Sequence, residues 1–258
     1  MSKIIAITNQ KGGVGKTTTS INLSAILAYK KRKVLLIDLD PQGNTTSGLG
    51  IDKGDSHKTI YQSLILGTPL VDTLVKTKFA NLKFIASDMN LSGAEIEMTT
   101  IKNREYLLKN LIDQVAGDYE YIFIDCPPSL GLLTMNALTA ATSVIIPLQC
   151  EFYALEGMTQ LLKTIGLIKS HYNPNLAIEG ILPTMYDSRN NISKQVLAEL
   201  RDHFPQYLFK SVIPRNVKLS EAPSFGLPIY LYDKNSQGAL FYSSLADEIN
   251  NQARLNIS

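Results

Sequence analysis

Apolar positions come along this chain in short, dense runs: "KIIAIT" (3–8), "KVLLIDLD" (33–40), "LKFIA" (82–86), "YEYIFIDC" (119–126), "TSVIIPL" (142–148), "IEGILPTM" (178–185) and "FKSVIP" (209–214). Several place Ile, Val or Leu at consecutive positions, so both faces of the extended chain are apolar. Strands of that kind are buried on both sides, as parallel strands are between two layers of helices, whereas a half-exposed antiparallel strand alternates. Between the runs, helical patterns cover 16–30, 57–66, 92–116, 131–141, 154–171, 191–204 and 237–253, most of them closed by Gly, Asn or Pro. Strand alternating with helix predicts an α/β fold, a doubly wound and mostly parallel sheet with helices on both faces. No internal repeat, low-complexity tract or Ser/Gly linker interrupts it, and 1–258 reads as one domain.

At 258 residues with 45% hydrophobic and 19% charged side chains, the chain can bury a substantial core without covalent staples. Cys126 and Cys150 have neither metal-site spacing nor the density of a disulfide framework, which favours a reducing cytoplasm. The start Met runs straight into a strand-like segment, and no apolar stretch approaches the ~20 residues that span a bilayer. The end, "SLADEINNQARLNIS", has no strongly basic amphipathic face, so stable membrane association is not expected. The formal charge of +2 means that attraction to an anionic polymer must come from local clusters of basic side chains.

Candidate chemistry begins at "TNQKGGVGKTTTS" (8–20), between the first strand and the first helix. That context is the one a phosphate-binding loop requires. Gly12, Gly13 and Gly15 let the backbone curl around an anion, with Val14 between them and the N–H groups of the following helix, including that of Thr18, pointing inward. Lys16 is placed to reach the outer phosphates of a nucleotide, and the Thr17 hydroxyl to ligate Mg²⁺. The usual spelling would put glycine at position 10, where Gln stands, followed by an extra Lys11. Two strand ends supply carboxylates: Asp38 and Asp40 in "VLLIDLDPQGN", and Asp125 in "YIFIDCPPS". Asp125 reads as a magnesium-ordering acid. Strand alternation would put Asp38 and Asp40 on one side, Asp38 aiding the metal and Asp40 orienting the attacking water. Each carboxylate, taken alone, is also readable as a cap or turn former.

These residues resemble the ParA/MinD group of P-loop ATPases, whose deviant Walker A pattern is K-G-G-x-x-K-[ST]; Lys11 to Thr17 matches it at every fixed position. The likeness extends through "DLDPQGNTTSGLG", "GAEIEM", "IDCPPSLGLLTMNAL", "PLQCEFYALEG" and "VIPRNVKLSEAPSFGLPI", and is nearest to chromosomal Soj-type ParA proteins. It implies that Lys11 is a signature lysine reaching the nucleotide of a second copy, in a homodimer that closes on ATP. It further implies two switch segments, "DPQGN" and "CPPSLG", and an adenine pocket with Met185 and Pro214 against the ring and Asn216 making polar contacts.

Residues 187–218 carry six basic side chains, including Arg189, Arg215 and Lys218, against three acidic ones. By charge alone this is an ordinary solvated face. The resemblance turns it into a surface for non-specific DNA, bound by the ATP dimer at the nucleoid and released when a ParB/Spo0J-type centromere-binding protein stimulates otherwise slow hydrolysis. No helix-turn-helix domain is expected ahead of the loop. A MinD-like membrane-cycling ATPase, a ParA-like ATPase positioning another cargo, and metabolic relatives such as the nitrogenase iron protein or dethiobiotin synthetase are the alternatives.

Overall fold

The computed structural model describes residues 2–53, 57–152 and 154–255, with residues 252–255 by backbone alone. In chain order the elements are β1 (Lys3–Ile7), α1 (Lys16–Tyr29), β2 (Val34–Asp38), α2 (Asn44–Gly48), α3 (Ile60–Leu66), β3 (Leu74–Lys76), β4 (Leu82–Ile85), α4 (Leu91–Met98), α5 (Leu107–Asp113), β5 (Tyr121–Asp125), α6 (Leu132–Ala140), β6 (Ser143–Gln149), α7 (Ala154–His171), β7 (Ala177–Thr184), α8 (Asn191–His203), α9 (Val217–Glu221), α10 (Ile229–Tyr232) and α11 (Gln237–Leu255). The strands form a single sheet in the order β3-β4-β2-β5-β1-β6-β7. Every neighbouring pair is parallel except β3 with β4, which is antiparallel.

The continuous apolar runs explain the layering. Successive side chains of a strand point to opposite faces, and in β1 Ile4 and Ala6 enter one core while Ile5 and Ile7 enter the other. The first core is closed by α3 to α8, the second by α1, α9, α10 and α11. Helix α7 shows the expected single stripe, with Ala154, Met158, Leu161, Ile165 and Ile168 buried. Helix α1 has no such stripe: Ile21 through Ala28 are buried without a break, because sheet, α2, α10 and α11 surround it.

Two expectations fail, each for a tertiary reason. The helix expected over 92–116 is broken into α4, a 3-10 turn at Arg104–Tyr106, and α5. Asn103 turns left-handed (φ 56°) there, and the buried Asn136 side chain takes the freed groups, accepting from the Leu108 N–H at 3.1 Å and donating to the Arg104 carbonyl at 2.8 Å. The strand expected over 209–214 does not form: the segment meets β7 and the chain just beyond it through isolated bridges, Ile181 with Leu208 and Tyr186 with Pro214, and through the Phe209 and Ile213 N–H groups on the Ile181 and Pro183 carbonyls. Glu248 on α11 accepts the backbone N–H groups of Lys210 and Ser211, and Pro214 has none to give. The short edge strand β3 was not foreseen.

Among the described residues no helix is long and apolar enough to cross a membrane. The tail reading extends to 256–258, which lie outside the described residues.

Candidate functional site

All parallel strands end on one side of the sheet, and the chain leaves β1 there as the loop 8–15. Two anchors hold this loop. Asn9, buried, donates from Nδ2 to the Pro147 carbonyl at 2.7 Å and accepts the Lys11 N–H at 3.0 Å. The Thr184 hydroxyl donates to the Val14 carbonyl at 2.8 Å. Gly13 (φ 73°) and Gly15 (φ 90°) are left-handed, where a side chain is strained. A Cβ at Gly12 or Gly13 would meet nothing within 4 Å, so the loop rims open space wide enough for an anion.

Lys16 opens α1 at 7% exposure, its ammonium donating to the Lys11 carbonyl at 3.1 Å. Burial pulls its pKa down, and Asp125 acts against that. Asp125 and Asp38 are direct partners across β5 and β2, and both are fully buried. Asp125 accepts from the hydroxyls of Thr17 (2.9 Å), Ser20 (2.8 Å) and Thr45 (2.5 Å). Asp38 accepts from the Thr46 N–H (2.9 Å) and hydroxyl (2.8 Å), and from the Asp40 N–H (3.1 Å). The alternation that would put Asp38 and Asp40 on one side stops at Asp38, where β2 ends. Asp38 turns back onto α2, and Asp40 lines the cleft.

That cleft has two basins. The first, about 650 Å³, is bordered by Gly12, Gly13, Lys16, Thr17, Asp40 and Pro128. The second, about 560 Å³, is bordered by Met185, Pro214, Arg215, Asn216, Leu219 and Tyr242. Gly15, Thr18, Met185 and Pro223 belong to both, so the basins are continuous. Met185 sits at φ 51°, a costly conformation for a non-glycine residue, held where the basins meet. Asn216 accepts the Leu219 N–H at 3.3 Å and so caps α9. Donor chemistry fits a hard cation: the Thr17 hydroxyl and Asp125 carboxylate are the oxygen ligands magnesium prefers beside a phosphate.

The other candidates lie around the rim. Lys11 is not among the residues bordering the two basins; its ammonium lies 2.6 Å from Glu151, with both side chains about half exposed. Arg189 forms a two-pronged contact with Asp187 (3.0 and 2.8 Å) and holds that carboxyl down at about 2; Arg215 adds to the effect. Lys218 is paired with Asp233. Two of the three basic candidates therefore already hold a carboxylate. Cys126 and Cys150 are buried, and burial pushes both thiols up, Cys150 to about 11. Ser20, Thr45, Thr46, Thr184 and Tyr242 were not foreseen. "NTTS" is polar enough to attract notice, but nothing in its spacing points to two carboxylates on different strands.

Burial and the Asp125 charge push Asp38 up to about 8 from 3.8, while burial raises Asp125 as well. Below about pH 8 the folded pair thus keeps a proton that the unfolded chain has released, so stability falls as pH rises through this window. The slope is at most about 1.4 kcal/mol per pH unit. Nucleotide-free protein should unfold in less urea at pH 8 than at pH 6, and Asp38→Asn should flatten the difference. A midpoint that rises over that interval contradicts the assignment.

A glycine loop between the first strand and first helix, facing buried carboxylates at neighbouring strand ends, defines a P-loop nucleotide-binding protein. Residues 2–178 match the family model described as an AAA domain. The chain is 55% identical over 249 residues to the sporulation initiation inhibitor protein Soj of Bacillus subtilis, covering 96% of this chain and 98% of that one. It is 53% identical to the chromosome partitioning protein ParA of Myxococcus xanthus, covering 96% and 88%. Its fold superposes with a TM-score of 0.84 on cobyrinic acid a,c-diamide synthase from Mycobacterium smegmatis with bound ADP and magnesium, at 38% identity over 96% of this chain and 93% of that one. The chain belongs to the Soj/ParA family of P-loop ATPases.

Proposed function

We propose that this protein is an ATP-dependent switch for partitioning chromosomes or plasmids. The observation that carries the proposal is the placement of Lys11. Its ammonium lies outside its own phosphate cleft, on a half-exposed carboxylate, from which release costs under about 1 kcal/mol. A cation offered outward at the mouth of a phosphate site suits the nucleotide of a second copy, and two copies face to face give an isologous dimer.

In this reading ATP lies along the continuous cleft, its phosphates against Gly12 to Thr18 and its base between Met185 and Pro214 beside Asn216. Thr17 and Asp125 would hold Mg²⁺, which neutralises the phosphates when bound, with Asp38 supporting from behind through α2. Asp40 orients the attacking water. The ATP dimer binds DNA of any sequence through Arg189, Arg215 and Lys218, in the cytoplasm on the nucleoid, and a ParB/Spo0J-type protein triggers hydrolysis and release. Attraction to phosphates without base reading falls steeply with salt. Two of those cations must first leave their carboxylates, Asp187 and Asp233.

Light scattering and DNA co-sedimentation at low salt test this together. Wild-type protein with ATP and Mg²⁺ should double its mass and sediment with DNA of arbitrary sequence. Lys11→Ala should still bind ATP but stay monomeric and off the DNA. A normal ATP dimer from Lys11→Ala removes the support for the switch.

A further inference from the structure

The segment 126–131 leaves β5 after Asp125 and passes the phosphate basin, where Pro128 forms part of the wall, before α6 begins at Leu132. Its far end is held by a residue from elsewhere. Gly131 is the N-cap of α6 but has no side chain with which to cap it; Glu95 on α4 supplies the carboxylate, accepting the Leu133 N–H at 3.2 Å. A carboxylate on the first turn of a helix is favourable for both the orphaned N–H groups and the helix dipole.

The glycine itself carries the second observation. Gly131 has φ −78° and ψ −169°, a conformation open to any residue, so the backbone does not demand glycine there. What a Cβ there would displace is the Glu95 carboxylate, which would lie 2.0 Å away at Oε1 and 2.8 Å away at Cδ. The missing side chain is the seat of the Glu95 carboxylate. Inside the segment, the Thr134 hydroxyl donates to the Ser129 carbonyl at 2.6 Å and ties the loop back onto α6.

We infer that Glu95 is a positioning residue for ATP hydrolysis: seated in the gap at Gly131, it fixes the start of α6 and through it the wall of the phosphate basin at Pro128. The inference rests on reading the cleft as the ATP site. Small displacements of groups around reacting atoms cost rate far more than affinity, up to about 10²-fold for 1 Å.

Single-turnover hydrolysis and ATP affinity, measured separately by rapid quench and calorimetry, decide it. Glu95→Ala should lower the hydrolysis rate about tenfold with ATP affinity within about twofold, and Glu95→Gln, which keeps an acceptor oxygen, should recover most of the rate. Gly131→Ala should be as slow as Glu95→Ala in the wild-type background and cost nothing further once Glu95 is Ala, because the new methyl then fills the vacated seat. Additive losses from the two substitutions, or an unchanged rate in Glu95→Ala, overturn the role of Glu95 alone. Failure of wild-type protein to bind ATP overturns the cleft reading and this role with it.

Discussion

Lys16→Ala should lower ATP affinity by about two orders of magnitude, the largest binding loss expected of a single side chain in this protein. Hydrogen bonds to charged groups contribute about 1.5–3 kcal/mol each, and the loss grows where water is excluded. Lys16 is 7% exposed and already desolvated, its pKa drawn down by burial. The folded protein has therefore met the cost of burying the ammonium before any phosphate arrives. Its removal takes away that preformed charge and leaves the buried Asp38 and Asp125 facing an anionic ligand with less compensation. Calorimetric titration with ATP and Mg²⁺ measures the effect. Affinity within a few fold of wild type would mean that the phosphates lie elsewhere.

The second large effect is on rate. Asp40→Ala should leave ATP binding and dimerisation in place while slowing hydrolysis by about 10²–10⁴-fold, the range for a positioned base. Asp40 is 7% exposed, lines the phosphate basin and accepts the Gln42 N–H at 2.9 Å, which holds its carboxylate at the mouth of the loop. Its bond to Asp38 runs through its backbone N–H, which alanine keeps, so the substitution spares the Asp38 and Asp125 network. Single-turnover hydrolysis alongside equilibrium binding separates the two parameters. Wild-type turnover by Asp40→Ala would end its assignment.

How much of this could be read in advance depended on the reach of each interaction along the chain. The buried parallel strands were legible because their pattern is local, a few consecutive apolar residues, and so was the phosphate loop, whose glycines, Lys16 and Thr17 lie within a few positions. What escaped is held by partners far along the chain. Asn136 breaks the helix expected over 92–116 from 28 residues beyond Leu108. Glu248 keeps 209–214 out of the sheet from 38 residues beyond Lys210. Glu95 reaches Leu133 across another 38. Asp38 and Asp40 show the limit of periodicity itself, which holds only while the strand lasts, and β2 ends between them. Lys11 was conspicuous in the sequence as a departure from the common spelling; its ion pair with Glu151 was not, because that partner lies at the end of another strand.

The two buried thiols bear on how the protein can be watched at work. Cys126 and Cys150 are the chain's only cysteines, at 1% and 3% exposure, and burial keeps both protonated near neutral pH, where thiol-reactive dyes need a thiolate. A cysteine introduced on the surface would therefore carry the only fluorophore without any change to the native pair. Each protomer would bear one dye and each dimer two, so energy transfer between differently labelled copies would report assembly and release turnover by turnover.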